Sequence, residues 1–382
     1  MRQLLFCLVT AVTSDWSAER GGVNPTTGRL ACRFEVRSQN CHMIASVQPM
    51  PESSKPQAQW HEPQATNLDR PDSSSQTKLT IAIPFYRGSQ YLRQAIESVM
   101  RQSQPAWQLL VCDDASPEMD VRRLVLGYRD PRIRYVRNER NLGMVGNWNR
   151  CLDLAQTDLV TLLHADDRLL DGYVAMMTEA AERHPEAVAL FCRARIIDQD
   201  GRSRFSFPDL YKRLLADCVG NGLRLEGRTA LEALLRGDFI MCPTVCYRKS
   251  RLGLRRFSSD WRFAQDMEFF TRLLFKGETL IGLPAVGYAY RRHRLNATSE
   301  YTKSLLRFEE ESRLYDALAY AADSRGWGQA ARLARRKSVI KLNLLYCSAA
   351  DLLRLRLQEA WQKLVFLRHL TVGRIANPSC RA

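Results

Sequence analysis

Apolar positions recur along this chain in alternating short and long periods. Leu79-Thr80-Ile81-Ala82-Ile83 is a compact β-branched run closed by Pro84, and Leu92, Ala95, Ile96, Val99 and Met100 then follow at helical spacing. The pattern predicts strand, turn and helix. The unit repeats: residues 109–112 predict a strand, Ser116-Pro117 predicts a capped helix with proline at its first position, and 133–136 predict another strand. Residues 143–155 then read as a helix, 159–163 as a fully buried strand, and 172–183 as a helix capped by Asp171. Such alternation predicts an α/β fold with a Rossmann-like, doubly wound, mostly parallel sheet.

After an apolar run at 188–192 the character changes. Asp200-Gly201 marks a hairpin, with a helix near 229–235, a strand near 244–247 and a helix after Asp266. Beyond Ser299, helical patterns dense in Arg and Leu cover 305–320, 328–346 and 350–367. Residues 13–77 are rich in Ser, Gln, Pro, Asn and Arg and lack periodicity. The organisation read from these shifts is a disordered extension over 1–77, a domain over 78–299 with halves 78–192 and 193–299, a basic helical extension over 300–370, and a tail over 371–382. The apolar stretch 4–12 behind Arg2 resembles a weak secretory signal or an interfacial anchor and is too short to span a bilayer.

The 382 residues carry a formal charge of +15, which attracts nucleic acid, anionic lipid headgroups or phosphorylated small molecules without choosing among them. Eleven cysteines include no Cys-x-x-Cys pair, and Cys112 and Cys151 lie in apolar periodic segments as core thiols. A reducing compartment fits. Cys242 and Cys246 form the one close pair, and no Cys/His group has structural-zinc spacing.

Three apolar stretches end in acid: Cys112-Asp113-Asp114, His164-Ala165-Asp166-Asp167, and Gln265-Asp266. The first two follow predicted strands whose carboxyl ends share an edge, the ligand-binding edge of such sheets. Asp114 is placed to accept a hydrogen bond from a uracil or thymine ring N–H, with Pro84 lining the pocket through its backbone; Asp113 or Asp114 could equally serve only the local turn. Asp166 and Asp167 suit a divalent ion, Mg²⁺ or Mn²⁺, bridging two phosphates, or else form a polar turn. Asp266 is either a helix cap or a base that takes the proton of an attacking hydroxyl. Arg291 and His293 in Tyr290-Arg291-Arg292-His293-Arg294 offer cationic groups to a diphosphate, as do Arg140, Arg150 and Lys276, although such side chains are often solvated.

Taken in order, Ile83-Pro84-Phe85-Tyr86-Arg87, Asp113-Asp114-Ala115-Ser116, Asn141-Leu142-Gly143, His164-Ala165-Asp166-Asp167, Gln265-Asp266 and Tyr290-Arg291-Arg292-His293 closely resemble the motifs of inverting family-two glycosyltransferases of the GT-A fold. The resemblance spans about residues 78–299. It implies a nucleotide-binding first half and an acceptor-binding second half. Pro84, Tyr86, Asp113, Asp114, Asp166, Arg291 and His293 are then the nucleotide-sugar contacts, Asp166 and Asp167 the metal ligands, and Asp266 the general base of a direct, inverting displacement. His164 stands where many relatives have an acid, which places metal ligation more heavily on Asp167. Gln265 and Trp148 replace a common Glu and Arg.

The resemblance thus implies a metal-assisted glycosyltransferase using a UDP-, dTDP- or GDP-linked sugar, with a glycan or lipid-linked saccharide acceptor, in polysaccharide or cell-wall biosynthesis. The location implied is cytoplasmic, or peripheral at the inner face of an anionic membrane, and no nucleic acid is expected. A nucleotidyltransferase or a Rossmann dehydrogenase would need a Gly-rich phosphate loop where Pro84-Phe85-Tyr86-Arg87-Gly88 has one glycine. A catalytically inactive relative and a basic adaptor for membrane or nucleic acid are the other readings.

Overall fold

Residues Leu79–Phe85 form β1, buried on both sides: Leu79, Ile81, Ile83 and Phe85 join one hydrophobic cluster and Ala82 the opposite one. A β-branched run buried on both faces belongs at the centre of a parallel sheet. Two neighbours, β2 (Trp107–Asp113) and β4 (Leu159–Leu162), pair with it in parallel, and β3 (Ile133–Arg137) extends the parallel set beyond β2. On the other side β8 (Val245–Arg248) runs antiparallel to β4 and to β6 (Ala187–Ile197). The 13-residue β9 (Thr279–Arg291) lies parallel to β6 and carries the short strands β5 (Arg168–Leu169) and β7 (Leu223–Leu225) antiparallel. The resulting order is β3-β2-β1-β4-β8-β6-β9-β5, parallel in its first half and mixed in its second.

The computed structural model describes residues 77–205, 210–212, 214–215, 223–292 and 297–372, all within the unit Leu68–Ala382. The expectations for residues 4–12, for a disordered stretch before 77, for His293 and for a tail beyond 372 lie outside the described residues.

Helices cover both faces. Ser89–Met100 and Tyr173–Arg183 bury Ile96, Val99, Val174 and Met177 on one side, while Gly143–Leu154, Gly227–Arg236 and Gln265–Phe275 bury Trp148, Leu231 and Phe270 on the other. The C-terminal helices Leu306–Asp323, Gly328–Arg336 and Ser338–Leu353 add Phe308, Tyr315, Ala331 and Leu344 to that second core. Burying an aromatic such as Phe308 contributes about 2–3 kcal/mol, so this region is held to the sheet layer by the same force that assembles it.

Three local expectations are corrected. Ser116-Pro117 does not open a helix: Asp113 Oδ1 accepts the Ser116 N–H at 2.7 Å and Ser116 Oγ accepts the Glu118 N–H at 3.0 Å, closing a turn that delays the helix to Val121–Leu126. Asp171 is not the cap of Tyr173–Arg183; Gly172 holds that position with no side-chain bond. The periodic stretch 328–346 is broken at Lys337, whose φ of 49° is left-handed and whose ammonium reaches Ser312 and Asp316. There a polar anchor outweighs helix continuity.

Candidate active site

The carboxyl ends of β1, β2 and β4 meet at one edge. Pro84 is half-buried and Tyr86 is exposed there, with the Arg87 guanidinium 5.0 Å from the Tyr86 ring centre. Asp114 follows β2, its backbone N–H donating to Phe85 O at 2.8 Å. Its Oδ1 accepts from Asn138 Nδ2 at 2.9 Å and from the Leu142 N–H at 2.8 Å. Asn138 also donates to Asn147 Oδ1 at 3.0 Å, and Asn147 donates to Cys112 O at 3.0 Å. Two buried asparagines therefore hold Asp114, itself buried, in place at the carboxyl end of β2.

Asp113, expected as a nucleotide contact, is turned inward. It is fully buried, and its carboxylate accepts from the Ser116 N–H, the Tyr135 hydroxyl and Arg137. A carboxylate taken out of water needs such partners, and both of its oxygens are engaged by β3 and the following turn.

After β4, the loop carrying His164, Asp166 and Asp167 gathers three donors: one ligand atom from each residue lies within 4.8 Å of the others. His164 stacks on Trp148, ring centres 5.4 Å apart, and its Nε2 is buried without a hydrogen-bond partner among the described residues. Burial lowers the imidazole pKa, only partly offset by the Asp166 carboxylate, so the ring is neutral and available as a ligand. Asp167 is buried; its Oδ2 accepts from the Tyr288 hydroxyl at 2.9 Å and its Oδ1 from the Arg291 N–H at 2.6 Å. Burial, and then the neighbouring Asp166 charge, push its pKa well above the usual carboxylate range. The two carboxylates supply the oxygen donors that a hard divalent cation takes, and the neutral His164 imidazole adds a nitrogen donor of the kind that first-row transition ions accept.

Arg291, also expected at a diphosphate, is fully buried and is corrected to a structural clasp. Nε donates to Asp166 O at 2.7 Å, Nη1 to Asp198 O and Gln199 O at 3.1 and 2.8 Å, and Nη2 to Gln94 Oε1 at 2.7 Å. The guanidinium fork satisfies four separate acceptors, tying the acidic loop to β9, the 198–199 turn and the helix Ser89–Met100. Arg140, Arg150 and Lys276 are exposed.

Asp266 occupies the second position of Gln265–Phe275, where Ala264 holds the cap, and its Oδ1 accepts from the Met267 N–H at 2.8 Å. Burial, and after it the Asp238 carboxylate, push its pKa up to about 7. Asp238, directly after the helix Gly227–Arg236, is itself raised, chiefly by burial. The start of Gln265–Phe275 is fixed from outside by Glu310, whose carboxylate accepts from the N–H groups of Arg262, Phe263 and Ala264 at 2.8–3.1 Å.

The helix Gly143–Leu154 joins these parts. Asn147 belongs to the Asp114 network, while the adjacent Trp148 stacks on His164 and meets Phe257 edge-on at 5.2 Å. Phe257 in turn lies 4.3 Å from Phe269, three residues beyond Asp266. Asp114, His164 and the Asp266 helix are thus connected through packed side chains. Asn138, Asn147, Asp238, Tyr288 and Glu310 escaped the sequence reading, because each works only through a partner distant in the chain; the Asn141-Leu142-Gly143 motif beside Asn138 and Asn147 was the one available signal.

Residues 80–228 match the family model described as Glycosyl transferase family 2, a span that contains Asp114 and the His164–Asp167 loop and ends before Asp266. The chain is 27% identical over 187 residues to the GalNAc(5)-diNAcBac-PP-undecaprenol beta-1,3-glucosyltransferase of Campylobacter jejuni, covering 48% of this chain and 56% of that protein. It is 35% identical over 89 residues to the UDP-Glc:alpha-D-GlcNAc-diphosphoundecaprenol beta-1,3-glucosyltransferase WfgD of Escherichia coli, covering 23% and 35%. Across three curated relatives it matches, the chain spans 62%, 16% and 56% of their lengths. Among solved structures it is similar to S. aureus TarS 1-349 in complex with UDP-GlcNAc, at 17% identity and a TM-score of 0.47, covering 63% of this chain and 66% of that one.

Proposed function

We propose, from the match of residues 80–228 to the family model described as Glycosyl transferase family 2, that the chain is an inverting, GT-A-type glycosyltransferase. It moves a sugar from a nucleotide diphosphate to an acceptor hydroxyl. The supporting observation is the linkage of Asp114, the His164–Asp166–Asp167 cluster and the Asp266 helix through Asn147 and Trp148 of one helix. The proposed domain is 78–299, with nucleotide binding in 78–192 and acceptor binding in 193–299.

In this reading Asp114, immobilised by Asn138 and Leu142, accepts from the N–H of a pyrimidine base, which favours a UDP- or dTDP-linked donor. Pro84 and Tyr86 line the same edge. Asp166 and His164 would hold Mg²⁺ or Mn²⁺, with Asp167 completing the donor set while it anchors the loop to Tyr288 and Arg291. A bound divalent ion supplies charge neutralisation to a departing diphosphate. Asp266, whose proton affinity is raised by burial and by Asp238, takes the proton of the acceptor hydroxyl. One base suffices for a direct displacement, and direct displacement inverts the anomeric centre.

The two bacterial relatives act, by name, on diphosphoundecaprenol-linked saccharides, which supports a lipid-linked saccharide acceptor and a role in polysaccharide or cell-wall biosynthesis at the cytoplasmic side of a membrane. No helix among the described residues is long and apolar enough to cross a membrane.

The test is a thermal-shift panel of UDP, dTDP and GDP sugars with and without Mn²⁺, followed by transfer assays of Asp266→Asn. A ligand that binds only the folded state raises its apparent stability. A metal-dependent shift for one donor class, with binding kept and transfer lost in the variant, is expected. Absence of any nucleotide-dependent shift, or full turnover by Asp266→Asn, overturns the reading.

A further inference from the structure

The second turn of chain reversal in the C-terminal region carries an exposed apolar surface that the proposed transferase reaction does not use. Between the helices Ser338–Leu353 and Leu357–Val372, all residues from 352 to 358 are exposed. Leu353 is 72% exposed, Leu355 85%, Leu357 65% and Trp361 68%. Arg354 and Arg356 alternate with these leucines, and Leu355 sits in left-handed backbone at φ 59°. The turn is bolted from within: Lys363 Nζ, buried, donates to Asp351 Oδ2 at 2.8 Å, joining the two helices directly beneath it. The left-handed Leu355 closes the first helix, its N–H donating to Leu352 O at 3.0 Å and the Arg356 N–H to Asp351 O at 2.9 Å, and this cap leaves Leu355 in water beside three other large apolar side chains, a surface open to an occupant.

We propose that this turn docks on the surface of an anionic phospholipid bilayer. The argument is complementarity. In residues 328–372 Arg332, Arg336, Arg354, Arg356 and Arg368 are exposed, while Lys337 and Lys363 are buried on Asp316 and Asp351 and Arg335 pairs with Asp323, so the surface charge left over is positive and is attracted to anionic headgroups. Alternating Leu and Arg on one turn lets apolar side chains enter the acyl boundary while guanidinium groups remain at headgroup level, and an exposed Trp is suited to the same layer. A second copy of the chain would instead bring Arg354 and Arg356 against their own counterparts. The inference stands on this surface alone, so its failure would leave the proposed transfer reaction untouched.

The full chain is to be co-sedimented with vesicles of phosphatidylglycerol and phosphatidylethanolamine, and separately with phosphatidylcholine vesicles, at low salt. Binding to the anionic vesicles alone is expected. Leu355→Ser combined with Trp361→Ser should lower partitioning at least about tenfold, and Arg354→Gln with Arg356→Gln should weaken it by roughly fivefold per arginine. All four positions are exposed, and a far-UV spectrum unchanged from the parent protein verifies folding of each variant. The proposal is overturned if the parent chain stays in the supernatant, if both variants bind like it, or if sedimentation velocity shows a dimer that the Leu355/Trp361 variant dissociates.

Discussion

Glu310 Oε2 accepts the Ala264 N–H at 3.1 Å across 46 residues of chain, and the same carboxylate takes the N–H groups of Arg262 and Phe263. Ala264 is the cap of Gln265–Phe275, where a helix leaves its N–H unpaired, and Arg262 and Phe263 are the residues that lead into it. Glu310 is buried. A negative charge from the helix Leu306–Asp323 therefore caps the helix that carries Asp266. Removing it in Glu310→Ala strands three donors and should cost about 3 kcal/mol of stability in urea unfolding. Glu310→Gln retains an acceptor oxygen and should recover part of the loss. Equal stability of Glu310→Ala and the parent chain would show that the cap is dispensable.

Asp266 and Asp238 should set the pH dependence of transfer. A carboxyl raised to about 7 holds its proton where the unfolded chain, near 3.8, has lost it. Its contribution to stability therefore falls as pH rises from 3.8 to about 7. Activity that needs the carboxylate rises over the upper part of that window. Asp238→Asn removes the repelling charge, so the acidic limb of the rate profile should move to lower pH. An unmoved limb in initial-rate measurements from pH 5 to 9 would separate Asp238 from the base.

Mn²⁺ should raise the melting temperature of the parent chain in the presence of a nucleotide diphosphate, and Asp166→Ala should abolish that increment. His164→Ala should weaken metal binding and also loosen Trp148, its stacking partner. Asp167→Asn disturbs the bonds to Tyr288 and the Arg291 backbone, so it should lower the melting temperature even without metal. A full Mn²⁺ increment in Asp166→Ala would remove that residue from the donor set.

Arg291→Lys distinguishes a clasp from a diphosphate contact. Lysine keeps the charge but has no planar fork with which to reach Asp166 O, Asp198 O, Gln199 O and Gln94 together. The clasp predicts a loss of about 3 kcal/mol or more in denaturant unfolding. A stable variant with an elevated donor KM would instead restore the diphosphate role.

The parallel half of the sheet was legible because its signal is local. The 79–83, 109–112 and 159–163 runs are apolar on both faces wherever they fold, and the helices between them repeat at the period of their own backbone. The acids at the strand ends were equally visible, since the carboxyl edge of such strands is shared whatever the distant partners are. What a local pattern cannot carry is the direction in which a side chain turns. Asp113 and Asp114 are adjacent, chemically identical and both buried, yet Tyr135 and Arg137 engage the first while Asn138 and Leu142 hold the second. Arg291 read as an exposed cation because nothing near it in sequence reveals the four acceptors that surround it. The sequence by itself determined the α/β alternation, the order of its short motifs and the acids at the strand ends, all through residue type and spacing. Only the tertiary structure decided which partners engage each acid, that burial and then Asp238 raise Asp266, and that Glu310 caps its helix, because hydrogen bonding and desolvation depend on groups brought together from far along the chain.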